Sequence, residues 1–194
     1  MVYFFSGWFL YIFLLIYLLI CAYFKLINKK SWTYISFFTI FYIYLYYVID
    51  LTQFPIYVND DQREFLGGQN VWRDLNLIPF YEGITKEGIL NVIMFLPMGV
   101  ALPFLLKANI VKVFTVSLAF SVLIELSQLA VALYAGYTFR VVDVNDVIMN
   151  VFGAVVGYLI LFKLFKLIYK WAKNKFSIES DGNSFLIHID KSVS

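Results

Sequence analysis

The chain has 194 residues, 62% of them hydrophobic and 14% charged, with a mean hydropathy of +0.79 and a formal net charge of +2. Soluble domains are nearer half apolar and a quarter charged, so these figures exclude an ordinary soluble globule, and so small a charge gives no argument for a nucleic-acid partner. Cys21 is the single cysteine and His188 the single histidine, which excludes an intrachain disulfide framework, a histidine metal site and a histidine-based triad.

The apolar residues fall in long runs and predict an all-α, polytopic membrane helical bundle of about five transmembrane helices. The runs are Tyr3–Phe24, Trp32–Leu51, Gly88–Leu106, Val111–Leu133 and Val144–Leu167. Each is about 19–24 residues, against the roughly 20 that cross the hydrocarbon core. The first run has no Lys or Arg before it and no small-residue cleavage site after it, and Ile20 is too bulky to precede a lipoprotein cysteine at Cys21. It reads as a retained anchor. Pro97 and Pro103 interrupt the third run, which predicts a proline-kinked or broken helix.

Charge sets the expected orientation. Lys25, Lys29 and Lys30 lie in the first loop, Lys107 and Lys112 in the third, and Lys163, Lys166, Lys170, Lys173 and Lys175 near the end of the fifth run. The second loop, Thr52 to Glu87, is acidic overall and too long for a plain connector, which marks it as functional or mobile. The positive-inside rule then places the N-terminus and loops two and four outside, and loops one and three and the C-terminus in the cytoplasm. Residues 1–175 form the integral membrane domain. Residues 176–194 form a short cytoplasmic polar tail with a turn expected at Asp181-Gly182-Asn183.

Polar groups in the last two runs carry the chemistry. Glu125 and Gln128, with Ser117 and Ser121, share one helix face; Asp143, Asp146, Asn150, Gly153 and Gly157 share another. A charged residue at a membrane helix centre costs roughly 2.5–3.5 kcal/mol on translocon scales, so a chain that keeps such groups uses or pairs them. The two faces reach similar depths, and Asn91 at the start of the third run joins them. The pair Gly153-x-x-x-Gly157 lets the fifth helix press against the fourth. Structural roles stand beside each functional one. Asp143 and Asp146 have the spacing of a helix cap and a first-turn carboxylate. Glu125, Gln128 and Asn150 suit interhelical hydrogen bonding, and Arg140 can pair with Asp143.

At these residues the chain resembles the VanZ-like family of bacterial membrane proteins. Asn76-Leu-Ile-Pro79-Phe80 resembles the family's Asn-x-x-Pro-Phe element. Asn91-x-x-x-Phe95-x-Pro97-x-Gly99 resembles the next, and Glu125-x-x-Gln128 the third. Arg140-x-x-Asp143-x-x-Asp146-x-x-x-Asn150-x-x-Gly153-x-x-x-Gly157 is similar to the closing signature. The motifs cover about 76–157. Phe139 departs from the pattern, since many members have glycine before the arginine. The family takes its name from a protein associated with resistance to the glycopeptide teicoplanin in Gram-positive bacteria. The resemblance supplies a fold and a location in the envelope, and no reaction.

Two functional classes are open. In one, Asn76, Asn91, Gln128, Arg140, Asp143 and Asn150 bind a membrane lipid or a lipoglycopeptide-type amphiphile in the outer leaflet, with Arg140 on an anionic group. In the other, an intramembrane enzyme acts on a lipid-linked envelope substrate. Glu125 is then its general acid or base and Asp146, with Asp143, its partner carboxylate or a ligand for a hard cation. No cofactor is implied, and the oligomeric state is open. Ser121 and Ser127 have no base beside them, which favours binding. A transporter ranks last, because the polar cluster is confined to one leaflet.

Overall fold

A computed structural model describes residues 1–81, 83–177, 179–180 and 182–193, leaving aside the side chains of Gln62 and Leu66. Glu82 of the acidic loop and Asp181 of the expected tail turn lie outside the described residues.

Among the described residues, five helical stretches are long and apolar enough to cross a membrane. The first is α1 (Trp8–Ala22), extended by a π-helical turn at Tyr23–Ile27. The second is α2 (Trp32–Gln53). A short helix, α3 (Asp60–Leu66), lies in the second loop, followed by the spanning helices α4 (Lys86–Leu106) and α5 (Ile110–Ala135). The fifth stretch, Val144–Lys175, consists of α6 (Val144–Val156), a π-helical turn at Gly157–Phe162, and α7 (Lys163–Lys175). The chain is an all-α polytopic bundle, as its hydropathy predicts.

Local chemistry sets the helix starts. Ser31 caps α2 by accepting from Tyr34 N at 3.2 Å, Thr85 caps α4 through Gly88 N at 3.1 Å, and Asn109 caps α5 through Lys112 N at 3.0 Å. Each supplies an acceptor to an amide that the helix leaves unpaired. Helix α4 is a single helix with Pro97 and Pro103 inside it, so the third span is not broken. Proline removes an amide and crowds the carbonyl four residues earlier. The Tyr44 hydroxyl of α2 donates to Met94 O at 3.0 Å, one residue past the carbonyl that Pro97 leaves without its helical donor, and ties α2 to α4 there.

The glycine pair has a different partner from the one its spacing suggests. A Cβ on Gly153 would stand 2.3 Å from Val92 O, and one on Gly157 2.2 Å from Leu96 O. Both neighbours belong to α4, and Gly99 of α4 reciprocates, with its added Cβ 2.0 Å from Ala154 O. The glycines therefore press the fifth span onto the third, not the fourth. Lipid tails are as apolar as leucine, so association in a bilayer rests on such close packing and on interhelical hydrogen bonds. Around this seam Val48, Phe95, Met98, Leu102, Val113, Ile124 and Ala154 form the buried core.

One end of the bundle is tied by backbone clamps. Strand β1 (Val2–Tyr3) pairs antiparallel with β2 (Ile56–Tyr57), and β3 (Leu75–Asn76) pairs parallel with β4 (Val142–Asp143). The long second loop is pinned further by Asp74. Its carboxylate accepts from Arg73 at 2.6 and 2.8 Å, from Thr138 Oγ1 at 2.6 Å and from Asn70 N at 3.2 Å. The Arg73 contact above all holds the Asp74 pKa well below the usual carboxylate range. At the opposite, lysine-rich end, helix α8 (Ser184–Val193) docks Ile189 and Val193 against Phe104 and Phe162. It is held by Lys173 Nζ donating to Asp190 at 2.6 Å.

Candidate functional site

The four motif segments meet around the N-terminus of α6. Asp143 caps that helix: its Oδ1 accepts from Asn145 N at 2.7 Å, and its Oδ2 accepts from Asn76 Nδ2 at 3.1 Å. Asn145 in turn accepts from Phe80 N at 2.7 Å, so both ends of the Asn76–Phe80 element are fastened to the start of α6. Glu125 reaches across from α5, and its Oε2 accepts from Asp143 N at 3.0 Å. Asn91 of α4 and Asp146 of α6 line the same space. Asn150 donates to Ser121 Oγ of α5 at 2.9 Å.

Arg140 spends its donors on the end of α2. Its Nη1 donates to Leu51 O and Thr52 O, each at 2.8 Å, and its Nη2 to Phe54 O at 3.2 Å. A guanidinium fork there serves the carbonyls that a helix end leaves open and meets the negative end of the helix dipole. Burial lowers its pKa from the ordinary arginine value. Among the described residues Arg140 makes no ion pair, so the surface pairing with Asp143 does not form. Gln128 acts on the same helix end, with Nε2 donating to Thr52 O at 3.0 Å. Phe139, the departure from the family pattern, lies against Tyr57 with ring centroids 5.0 Å apart.

Above these contacts is a cavity of about 680 Å³. Its polar wall comprises Glu125, Gln128, Asn150, Asp146, Asn91 and Arg140, which are on α4, α5, α6 and the loop before α6. Glu125 and Asn150 therefore share one space. Asn76 and Asp143 are outside it; they belong to the clamp beneath. The remaining wall comes from α2 and α4. Tyr47 and Leu51 on α2 and Leu90 and Ile93 on α4 are each more than half exposed, so the cavity has an apolar lateral mouth between these helices. Tyr44, Thr52 and Glu87 also line it, and none of them stands out in the sequence. Tyrosine and threonine in an aromatic-rich span read as anchor and packing material, and Glu87 reads as loop charge.

Among the described residues no three His, Cys, Asp or Glu side chains come together as a metal site. The cavity can hold a polar head of moderate size, offering amide donors and acceptors, the carboxyl groups of Glu87, Glu125 and Asp146 and the unused edge of one guanidinium.

A bundle of five apolar helices with a polar cavity at one end defines a polytopic membrane protein. A family model described as VanZ/LLP1 matches residues 8–168, and the chain belongs to this VanZ-like family. The match takes in the first two spans, which carry no motif legible by eye. No curated protein and no solved structure matches the chain.

Proposed function

We propose that the cavity binds the polar head of an amphiphile in the outer leaflet of the bacterial plasma membrane. The acyl portion leaves sideways between α2 and α4. The observation that carries this reading is the pairing of a polar wall with an apolar mouth in the same cavity. A water-soluble ligand has no use for a mouth lined by Leu51, Leu90 and Ile93; a membrane lipid or a lipoglycopeptide such as teicoplanin does. Binding such a molecule limits its access to cell-wall lipid, which fits a role in glycopeptide resistance. The orientation follows from the lysines: the cavity end, with its acidic loop, faces outward, and the lysine-rich end faces the cytoplasm.

A second reading, an enzyme acting on a lipid-linked envelope substrate, is favoured by one observation. Glu125 and Asp146 line the same cavity, as a general acid or base and its partner would. Binding is the stronger reading, because among the described residues no serine or cysteine lines the cavity, and the one aliphatic hydroxyl there, Thr52 Oγ1, donates to Val48 O.

Mass spectrometry of membrane lipids and wall precursors from cells carrying the wild type, Glu125→Gln or Asp146→Asn separates the two. A binder leaves the set of lipid species unchanged, and its purified form retains an amphiphile that Asp146→Asn retains less well. A species that appears with the wild type and vanishes with Glu125→Gln would replace the binding reading with the enzymatic one.

A further inference from the structure

The lysine-rich end carries a second concavity that the cavity at the other end does not explain. It has a volume of about 490 Å³ and lies where the α1–α2 link, the end of α4 and α8 meet. Lys30, Lys107 and Lys191 come from these three separate elements, and among the described residues no acidic side chain lines the space. Ser31, Asn28 and Ser192 add neutral polar groups. His188 also lines it, and its Nε2 is buried with no hydrogen-bond partner among the described residues. Three ammonium groups lining one hollow favour an anionic occupant.

The floor of this hollow is apolar. Phe104 and Leu105 line it and also line a groove of about 400 Å³ that runs along the α2–α4 seam past Phe37, Phe41 and Ala101. The groove is almost wholly apolar and lies between two spanning helices, with Ile40 in its wall exposed. An anion pocket opening directly into an apolar groove has the chemistry of one molecule, a phosphate-bearing lipid.

We infer that this end binds an anionic phospholipid, with its phosphate held among Lys30, Lys107 and Lys191 and one acyl chain in the α2–α4 groove. The site is separate from the proposed amphiphile cavity and does not depend on it. Because α8 contributes Lys191, the bound lipid also fastens the C-terminal helix to the bundle.

The test uses the full chain in nanodiscs of equal phosphatidylglycerol and phosphatidylcholine, with lipid adducts read by native mass spectrometry after release. The wild type is expected to retain phosphatidylglycerol in preference. The combined variant Lys30→Gln, Lys107→Gln, Lys191→Gln loses that preference, by about fivefold for each lysine removed, while helicity by circular dichroism is unchanged. A control variant, Lys25→Gln, Lys163→Gln, Lys170→Gln, keeps it. Ala101→Phe, which fills the groove and leaves the lysines intact, lowers retention of phosphatidylglycerol. Equal loss in the control variant would assign the preference to the general surface potential and overturn the site. So would unchanged retention in either pocket variant. Displacement of the lipid by inorganic phosphate as readily as by a short-chain phosphatidylglycerol would make the ligand a free anion and overturn the lipid assignment.

Discussion

Asn150 donates to Ser121 Oγ at 2.9 Å across the α5–α6 interface, while its own Oδ1 is buried with no hydrogen-bond partner among the described residues. Asn150 is 1% exposed and lines the cavity. In the cavity wall this carbonyl is an acceptor open to a donor from a bound head group, a pairing worth about 0.5–1.5 kcal/mol.

Asn150→Leu therefore separates stability from binding. It removes the unpaired carbonyl and keeps the branching of the side chain, and the loss of the donor to Ser121 Oγ offsets part of the gain. Thermal unfolding in detergent is expected to be unchanged or slightly raised, while retention of the co-purifying amphiphile falls about tenfold or more, the equivalent of one lost hydrogen bond. A large fall in stability with retained binding would make Asn150 a packing residue.

The α4–α6 seam has no room for a side chain. Gly157→Ala places a methyl group where Leu96 O already stands, 2.2 Å away, and the obstacle is backbone and cannot rotate aside. The helices must separate, at a cost of about 1–3 kcal/mol or more. Gly68→Ala, which meets nothing within 4 Å, is the control and should leave stability unchanged. Denaturation of the two variants in mixed micelles measures the difference.

These two relationships show how far the sequence could be read. Glu125, Gln128 and Asn150 are conspicuous because polar groups are costly in an apolar run, and all three line the cavity. Gly153 and Gly157 announce a close approach but not its partner, since spacing fixes a helix face and says nothing about which helix lies opposite. Asp143 and Asn76 belong to motifs, yet their side chains build the clamp that starts α6. The spacing of Asp143 already allowed a cap. Arg140 is harder still. Its partners are the carbonyls of Leu51, Thr52 and Phe54, and backbone acceptors leave no signature in a sequence. For the same reason the contribution of α2 to the cavity was not legible, although it forms much of the mouth. The docking of α8 was equally hidden, because Phe185, Ile187 and Ile189 sit in a short stretch that reads as a polar tail.

Docking of α8 carries a pH dependence. Burial lowers the pKa of His188, helped by Lys191 and Lys30, against a backbone contact with Phe104 that raises it. A histidine with a depressed folded pKa leaves the undocked state binding more protons. Docking is then at full strength above the unfolded value of about 6.5 and weakens as pH falls below it. Lys173 lowers the pKa of Asp190, which acts in the same direction but only in the carboxylate range. Hydrogen exchange across 184–193 is expected to accelerate between neutral pH and about pH 5.5 beyond the intrinsic trend, and His188→Gln should flatten the response. An exchange rate that follows the intrinsic trend in both proteins would remove this role.

Orientation is open to direct labelling. Phe139→Cys sits at the cavity end and Lys107→Cys at the lysine-rich end. In Cys21→Ser background cells, a membrane-impermeant maleimide should modify position 139 from outside and position 107 only after the membrane is opened. The reverse pattern would put the cavity on the cytoplasmic side and end its proposed access to envelope glycopeptides.

The proposed function requires that a selected amphiphile occupy the space shared by Glu125 and Asn150. Photocrosslinking from within that space tests it most directly, with p-benzoylphenylalanine in place of Met94 in the cavity wall and, separately, in place of Ile12 on the lipid-facing surface of α1. The adduct at position 94 is expected to be dominated by one head-group class and to be lost with Asn150→Leu, while position 12 samples the bulk membrane. Identical lipid mixtures at both positions would mean that ordinary membrane lipid fills the cavity and that no amphiphile is selected.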